Sequence, residues 1–321
     1  MLTTPRVSVL LPVRNALPYL PEAVASLEAQ TFARIEVLAI DDGSTDGSRA
    51  WLEARVRPGF RLLSTGGAGF AAALNLGLAE ARGDLVARQD GDDLSHPGRF
   101  ARQVAYLDAH ADVALVATCA DYIDAAGAPV TNAWTEQVRR EHDPVRAPEA
   151  LREHLPRTCV ITHGSVMARR DVLVAAGGYD GRFAPAEDYD LWLRLLPSHA
   201  LARLPERLYT YRLHGTQWSA ALRDRQLECV IRTKLAYLCR TTDLPPSAAV
   251  HIAGAGAGAA MYRRVLDEFP MREAAGADWD VWIETDFAEL PHLARALGQA
   301  HGSEGVCQVG NFFVRQRQEA P

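Results

Sequence analysis

The chain predicts an α/β fold: a mainly parallel sheet with helices on both faces. Three observations carry this. Short apolar runs alternate with stretches of helical spacing through the first hundred residues. Gly, Ser and Asp turn chemistry separates them, and acids cluster where the second and fourth runs end. Strand–helix alternation of this kind builds βαβ units. At ~100–200 residues per domain, 321 residues hold more than one structural unit.

The elements follow in order. "VSVLLPV" (7–13) is a continuous apolar run, the mark of a buried strand. "LPYLPEAVASLEAQ" (17–30) has helical spacing. "IEVLAID" (35–41) is the second strand, and "DGSTDGS" (42–48) the turn after it, with Ser44 or Thr45 suited to cap a helix through Trp51. "FRLLS" (60–64) is a strand, "GFAAALNLGLAEA" (69–81) a helix and "DLVARQ" (84–89) a fourth strand. "RFARQVAYLDAH" (99–110) is helical. "VALVAT" and "DYIDAAGAPVTN" then predict strands with a hairpin at Gly127. "ITHGSVMARRDVLVAAGGYD" reads as a strand and a helix from Arg170 that ends at Gly177 and Gly178. "AEDYDLWLRLL" (186–196) starts a helix with acids in its first turn, where the helix dipole favours them. "LYTYRLH" (208–214) is the last strand. From Arg223 the spacing turns helical, so we divide the chain into 1–221 and a mostly helical region, 222–321. "AGAGAGAA" (253–260) suits a close-packed helix or a flexible turn.

Composition excludes several classes. The formal net charge is -6, a single lysine (Lys234) accompanies many arginines, and no basic block stands out, so nucleic acid is not an expected partner. Cys119, Cys159, Cys229, Cys239 and Cys307 are dispersed with no C-x-x-C, which points to reduced thiols, a cytoplasmic setting and no zinc. The first apolar run is short and contains Ser8 and Pro12, unlike a signal peptide, and no segment reaches the ~20 apolar residues of a membrane span. Peripheral membrane contact stays open.

Ligands of parallel sheets bind beyond the carboxyl ends of the strands. Asp41 and Asp42 end the second strand, while Asp90, Asp92 and Asp93 follow the fourth, so both clusters are expected to line one crevice. Paired carboxylates there suit a divalent cation that bridges protein to ligand phosphates. The bland alternative is a solvated acidic turn. Glu187, Asp188 and Asp190 supply a candidate general base, or only helix-terminal acids. His214, at a strand end, is a candidate metal or phosphate contact, and His163 a weaker one. Trp192 reads as packing, and Trp218 as packing or sugar stacking. A rival reading rests on "GAGFAA" (67–72), which fits G-x-G-x-x-A with Asp90 about 20 residues beyond, the fingerprint of an NAD(P)-binding oxidoreductase. Against it, the fingerprint usually opens its domain.

Five stretches, "VSVLLPVRN", "IDDGSTDGS", "ALNLGLAEARGDLVARQDGDD", "GGYDGRFAPAEDYDLWLR" and "YRLH", in this order, resemble glycosyltransferase family 2 with its GT-A fold, over residues 5–220. The resemblance implies inverting transfer of a sugar from a nucleotide-diphosphate sugar, UDP-sugars first, to a hydroxyl of a saccharide or lipid-linked acceptor in cell-envelope glycoconjugate synthesis. It implies that Pro12, Val13 and Arg14 border the base and Asp42 binds it. Asp90 then faces the ribose or metal side of the D-x-D element, Asp92 holds Mn2+ or Mg2+ with His214 beside it, and Asp188 is the base. Glu187, His163 and Trp218 are left as acceptor or loop contacts. The chain departs from the pattern at Leu74, where many members carry Arg before the Asn, and it lacks the Q-x-x-R-W element of processive synthases. Addition of one or a few sugars follows. A nucleotidyltransferase of similar fold would be expected to carry a Gly-rich loop where this chain has "PVRNALPYL".

Overall fold

The computed structural model describes residues 4–215, 223–242, 244–245, 247–253, 257–273, 281–284, 306–309 and 312–315. The chain divides into two units, Met1–Arg152 with Val160–Ala221, and Glu153–Cys159 with Leu222–Pro321.

In the first unit eight strands share one sheet. β1 (Val7–Val13), β2 (Ile35–Asp41), β3 (Phe60–Ser64) and β4 (Leu85–Arg88) form a parallel half in the order β3-β2-β1-β4. All seven residues of β1 are buried, as a central strand covered on both faces requires. Helix α1 (Leu20–Glu28) buries Leu20, Ala23, Val24 and Leu27, one face of a 3.6-residue repeat. Val7, Val9, Leu11 and Val13 pack in one cluster with α1 and with Phe100, Val104 and Leu107 of the later helix Arg99–Ala109. On the opposite face Leu10 and Ile40 meet Gly77, where an added Cβ would lie 2.8 Å from the Leu10 side chain. Only glycine lets that helix approach so closely.

Between these strands run α2 (Ser48–Glu53) and α3 (Phe70–Glu80). The sheet continues through β5 (Leu94–Ser95), β6 (Val113–Asp124), β7 (Met167–Arg169) and β8 (Ala200–Leu213), in the order β4-β7-β6-β8-β5. Here β7 is antiparallel to β4 and β6, and β8 is parallel to β6. The helices of this half are α4 (Arg99–Ala109), α5 (Ala133–His142), α6 (Pro148–His154), α7 (Arg170–Ala175) and α8 (Glu187–Leu195).

Three local expectations need correction. The two strands expected around Gly127 are one 12-residue strand, β6, and the hairpin's return leg shrinks to a single bridge between Ile123 and Pro129. Pairing with β8 along the whole length, through register shifts, outweighs the local turn signal. That pairing also starts β8 at Ala200, ahead of the apolar run read as the last strand. Neither Ser44 nor Thr45 caps α2. The N-cap is Gly47, and Asp46 just before it ties the turn: one carboxylate oxygen accepts from the Ser48 amide at 2.9 Å and the other from the Leu17 amide at 2.9 Å.

The second unit carries strands that the helical reading of 222–321 did not include. Among its described residues, α9 (Arg223–Thr241) and α10 (Ala257–Leu266) accompany a five-stranded sheet. Its strands are β9 (Ala248–Ala253), β10 (Met271–Glu273), β11 (Val281–Glu284), β12 (Val306–Val309) and β13 (Phe312–Arg315), ordered β10-β9-β11-β13-β12. β9 is parallel to both neighbours, and β13 is antiparallel to β11 and β12. Leu235, Leu238, Val250, Ile252, Val265, Val281, Ile283 and Phe312 form its core. Strands of three or four residues are too short for a period-2 pattern to register. "AGAGAGAA" joins the end of β9 to the start of α10, with 254–256 outside the described residues.

The Asp46 bonds predict that Asp46→Ala lowers the thermal midpoint of the full chain by the equivalent of ~1–2 kcal/mol, as loss of a cap does. Thr45→Ala should move it by no more than ~0.5 kcal/mol, the usual range for a surface change. Equal effects in calorimetry would return the cap to the Ser44–Thr45 pair.

Candidate active site

Parallel pairing aligns Val13 with Asp41 and Leu10 with Arg88, so the ends of β2 and β4 flank the end of β1 on one edge. The two acidic clusters therefore lie on either side of Pro12 and Val13. The Val13 carbonyl accepts from the Asp42 amide at 2.9 Å. On the other side, an added Cβ on Gly91 would lie 3.7 Å from the Pro12 carbonyl oxygen. Arg14 is exposed, with its guanidinium 3.9 Å from Asp42 Oδ2.

Asp42 is buried. Its Oδ1 accepts from the Gly69 amide at 3.0 Å and from the Thr65 hydroxyl. Gly69 precedes α3 and belongs to the "GAGFAA" loop. An amide at a helix N-terminus favours an anion, and here the anion is the chain's own carboxylate. The loop also follows β3, the edge strand, away from the central strand whose end would form a dinucleotide crevice. Nothing in this arrangement supports the NAD(P) reading.

On the far side of β1, the loop after β4 is stitched to the end of β8. Asp93 is buried: its Oδ2 accepts from the Tyr209 hydroxyl at 2.8 Å and its Oδ1 from the Arg212 amide at 2.7 Å. Arg212 Nε donates to the Asp92 carbonyl at 2.8 Å, and its Nη2 to Glu22 at 2.6 Å. His214 Nε2 lies 2.9 Å from Asp92 Oδ2, and its ring packs on Tyr19 at 4.7 Å between centroids. Burial and the neighbouring Asp90 carboxylate raise the Asp92 carboxyl above its ordinary range, while His214 pulls it back. Asp93 is raised well above that range, by burial and by Asp92 and Asp90. Asp92 and His214 thus turn one oxygen and one nitrogen toward the same point. Of this pair the carboxylate is the donor that suits Mg2+ or Mn2+. Among the described residues, no three His, Cys, Asp or Glu side chains converge as a finished metal cage.

A third part reaches the site from α8. Asp188 Oδ1 accepts from the Tyr189 amide at 2.7 Å, and its Oδ2 lies 4.0 Å from His163 Nδ1. Burial pushes the Asp188 carboxyl up to about 6. Burial, with Asp188 alongside, pushes Glu187 up to about 7, and Glu187 Oε2 is buried without a hydrogen-bond partner. Asp190 is fully buried and turned elsewhere: its Oδ2 accepts from Arg194 Nε at 2.7 Å, and Arg194 also binds the carbonyls of Ala176 and Gly178. Asp190 thus secures, through Arg194, the Gly177–Gly178 turn that follows α7.

Arg88, which sequence reasoning passed over, joins the parts. Its Nη2 donates to Asp90 Oδ1 at 2.6 Å, its Nε to His163 Nε2 at 3.2 Å, and its Nη1 to the Leu10 and Gln89 carbonyls. A run Asp90–Arg88–His163–Asp188 therefore spans the D-x-D loop and the α8 acids. One signal pointed to it: an arginine in the last position of an apolar strand must find partners inside. His163, read as a weak candidate, lies at the middle of this run. Trp192 is fully buried and packs edge-on to His163, at 5.8 Å. Trp218 lies outside the described residues.

Gly164, next to His163, has no room for a side chain. An added Cβ would lie 1.9 Å from the Tyr209 hydroxyl and 2.6 Å from Asp90 Oδ2. Gly164→Ala should therefore cost ~1–3 kcal/mol of stability, the range for overpacking, and weaken nucleotide binding together with it. A variant that melts with the wild type and binds nucleotide equally well would contradict this packing.

The chain matches the family model of Glycosyl transferase family 2 over residues 8–174. It is 30% identical over 256 residues to EpsE of Bacillus subtilis, a glycosyltransferase by name, covering 78% of this chain and 87% of that protein. The O-antigen biosynthesis glycosyltransferase WbnJ of Escherichia coli is 29% identical over 224 residues, 67% of this chain and 83% of that one. Among solved structures, the mannosyltransferase PcManGT of Pyrobaculum calidifontis, in complex with GDP-Man and Mn2+, superposes with a TM-score of 0.58 at 22% identity, over 76% of this chain and 67% of its own. The sheet order and these likenesses lead to one conclusion: the chain belongs to glycosyltransferase family 2, and it is a glycosyltransferase with the GT-A fold.

Proposed function

We propose that the protein is a non-processive, inverting glycosyltransferase. It takes a sugar from a nucleotide-diphosphate sugar, UDP-sugars being the first to test, and adds it to a hydroxyl of a saccharide or lipid-linked acceptor. The setting we propose is cell-surface polysaccharide or glycoconjugate synthesis at the cytoplasmic side of a membrane, with peripheral attachment. The O-antigen relative supports this setting. Among the described residues no helix is long and apolar enough to cross a membrane. The observation that carries the chemistry is Asp188, a carboxylate with a raised pKa and one oxygen left for a substrate, linked through His163 and Arg88 to the D-x-D loop.

In this reading Asp42, beside Pro12, Val13 and Arg14, holds the base, and Asp90 lies on the ribose side. Asp92, with His214 beside it, would hold Mn2+ or Mg2+ at the donor diphosphate. The cation would supply charge neutralisation to the leaving diphosphate. Asp188 Oδ2 takes the proton of the acceptor hydroxyl. The oxygen attacks the anomeric carbon opposite the diphosphate, which leaves with the bonding electron pair, so the configuration inverts.

A positioned base contributes ~10²–10⁴-fold. Asp188→Asn should lose kcat by about that factor with donor affinity nearly unchanged. The base must be ionised, so the acid limb of the wild-type kcat profile should centre near the Asp188 value of about 6. The pKa of Asp188 is raised on folding, so its ionisation costs stability. The cost is absent below the unfolded value near 4 and complete above about 6. Asp188→Asn should consequently melt higher than wild type at pH 8, by the equivalent of about 1–3 kcal/mol, and this gain should vanish toward pH 4. A fully active Asp188→Asn, or a product that keeps the donor's anomeric configuration by proton NMR, would end this assignment.

Metal dependence has its own test. Chelation should weaken donor binding and stop turnover, Mn2+ should restore both, and Asp92→Ala should lose activity with a thermal midpoint no lower than that of the wild type. Undiminished turnover in excess chelator would exclude the cation site.

A further inference from the structure

We propose that His163 is a second catalytic residue, whose Nδ1–H donates a hydrogen bond to the acceptor hydroxyl oxygen while Asp188 Oδ2 takes that hydroxyl's proton. The proposal rests on the reading of Asp188 as base.

The tautomer comes from the partners of the other ring nitrogen. His163 Nε2 lies 3.2 Å from Arg88 Nε and 3.1 Å from the Tyr179 hydroxyl. A guanidinium N–H can only donate, so Nε2 is the acceptor and the ring proton sits on Nδ1. Burial, and the Arg88 charge next to it, hold the imidazole pKa well below its ordinary value, so the ring carries that single proton. The ring has little freedom to turn. Phe70 and Trp192 meet it edge-on at 6.0 and 5.8 Å, and Tyr179 lies 5.4 Å away.

Among the described residues the Nδ1 proton has no partner within hydrogen-bond reach. Asp188 Oδ2 is 4.0 Å away, too far for a direct bond. The gap is the right size for one oxygen. An atom about 2.8 Å from both groups subtends an angle of roughly 90° between them, close to that between two substituents of a hydroxyl oxygen. Such an oxygen has four directions. One carries its own carbon, one donates to Asp188, and one accepts from His163. The fourth lone pair is left for the anomeric carbon.

During reaction the O–H bond breaks and its proton passes to Asp188. The oxygen bonds to the anomeric carbon, and the bond from that carbon to the diphosphate oxygen breaks with its electron pair. The imidazole keeps its proton throughout. As negative charge grows on the attacking oxygen, the bond from Nδ1–H strengthens, and a donor fixed in advance lowers the barrier most where charge develops. Arg88 is the positioning residue: it fixes the tautomer and ties it to Asp90 on the donor side.

Two measurements on the full-length protein test this. Histidine-selective 15N labelling, with the His163 signals assigned by their loss in His163→Asn, should report a neutral ring protonated on Nδ1 at pH 7. A ring protonated on Nε2, or an imidazolium, overturns the proposal. In kinetics, nucleotide sugars including UDP-GlcNAc and GDP-mannose are offered with Mn2+, water serves as the acceptor, and nucleoside diphosphate release is followed. Asn places an amide N–H near the position of Nδ1, whereas Gln places it near Nε2. His163→Asn should stay within about tenfold of wild type, while His163→Gln and His163→Phe should lose about 10²-fold in kcat, the low end for a positioned proton-handling group. UDP or GDP binding by calorimetry should be unchanged in all three. Equal rates for Asn and Gln overturn the role of His163. If the His163 variants keep the wild-type rate while Asp188→Asn is dead, the base assignment survives alone. If Asp188→Asn is active, the base reading itself falls.

Discussion

A buried guanidinium governs the organisation of this site. Arg88 is 1% exposed and keeps its charge at any ordinary pH. Such a charge is tolerated only if its N–H groups find acceptors. Four bonds run from its five N–H groups, to the Leu10 and Gln89 carbonyls, Asp90 and His163. The partners come from the central strand, the loop that follows β4 and the segment before β7, so satisfying one side chain brings three distant pieces of sequence to one point. A second buried arginine supports the first. Arg99 donates to Gln89, Ser95 and Gln103 and to the Arg88 and Val166 carbonyls, and burial lowers its own pKa to about 10.

The anionic side of the site is poorly compensated. Asp92, Asp93, Glu187 and Asp188 all have raised pKa values, with burial as the first cause in each. Each shift is a cost to the folded state at neutral pH. A chain selected for stability alone would place neutral side chains there. The cost is concentrated where a cation, a hydroxyl proton and a nucleotide's N–H groups are expected to arrive, and it makes their arrival more favourable. Stability and activity oppose each other at these positions.

Much of this was legible in the sequence, for particular reasons. β1 and β2 have the bounds of their apolar runs, because strands covered on both faces need not alternate. The acids at the strand ends were legible because a parallel sheet brings those ends together. What escaped depends on partners far along the chain. The ring nitrogen of His163 is bound by an arginine 75 positions away. Asp46, Ser44 and Thr45 are all good capping types, and only the fold decides which side chain meets two amides. "GAGFAA" matches a dinucleotide loop residue for residue, but its meaning depends on strand order, and β3 lies at an edge. In the second unit, β10 and β11 have three and four residues, while α9 has 19, so the helical signal dominated.

The fate of that glycine loop bears on which nucleotides the site accepts. In a dinucleotide fold the amides at the helix N-terminus would meet a phosphate. Here the Gly69 amide and the Thr65 hydroxyl both spend their protons on Asp42 Oδ1. Oδ1 is thereby occupied and the side chain oriented, while Oδ2 faces the exposed Arg14 at 3.9 Å. A carboxylate oxygen can only accept. If Asp42 binds the base as proposed, Oδ2 must meet an N–H, which uracil, thymine and guanine present on their pairing edges as ring imide or amide groups. Cytosine and adenine could meet it only through their exocyclic amino groups, beside an unprotonated ring nitrogen that a carboxylate does not bind. The helix that would have held a phosphate instead fixes one carboxylate of the crevice.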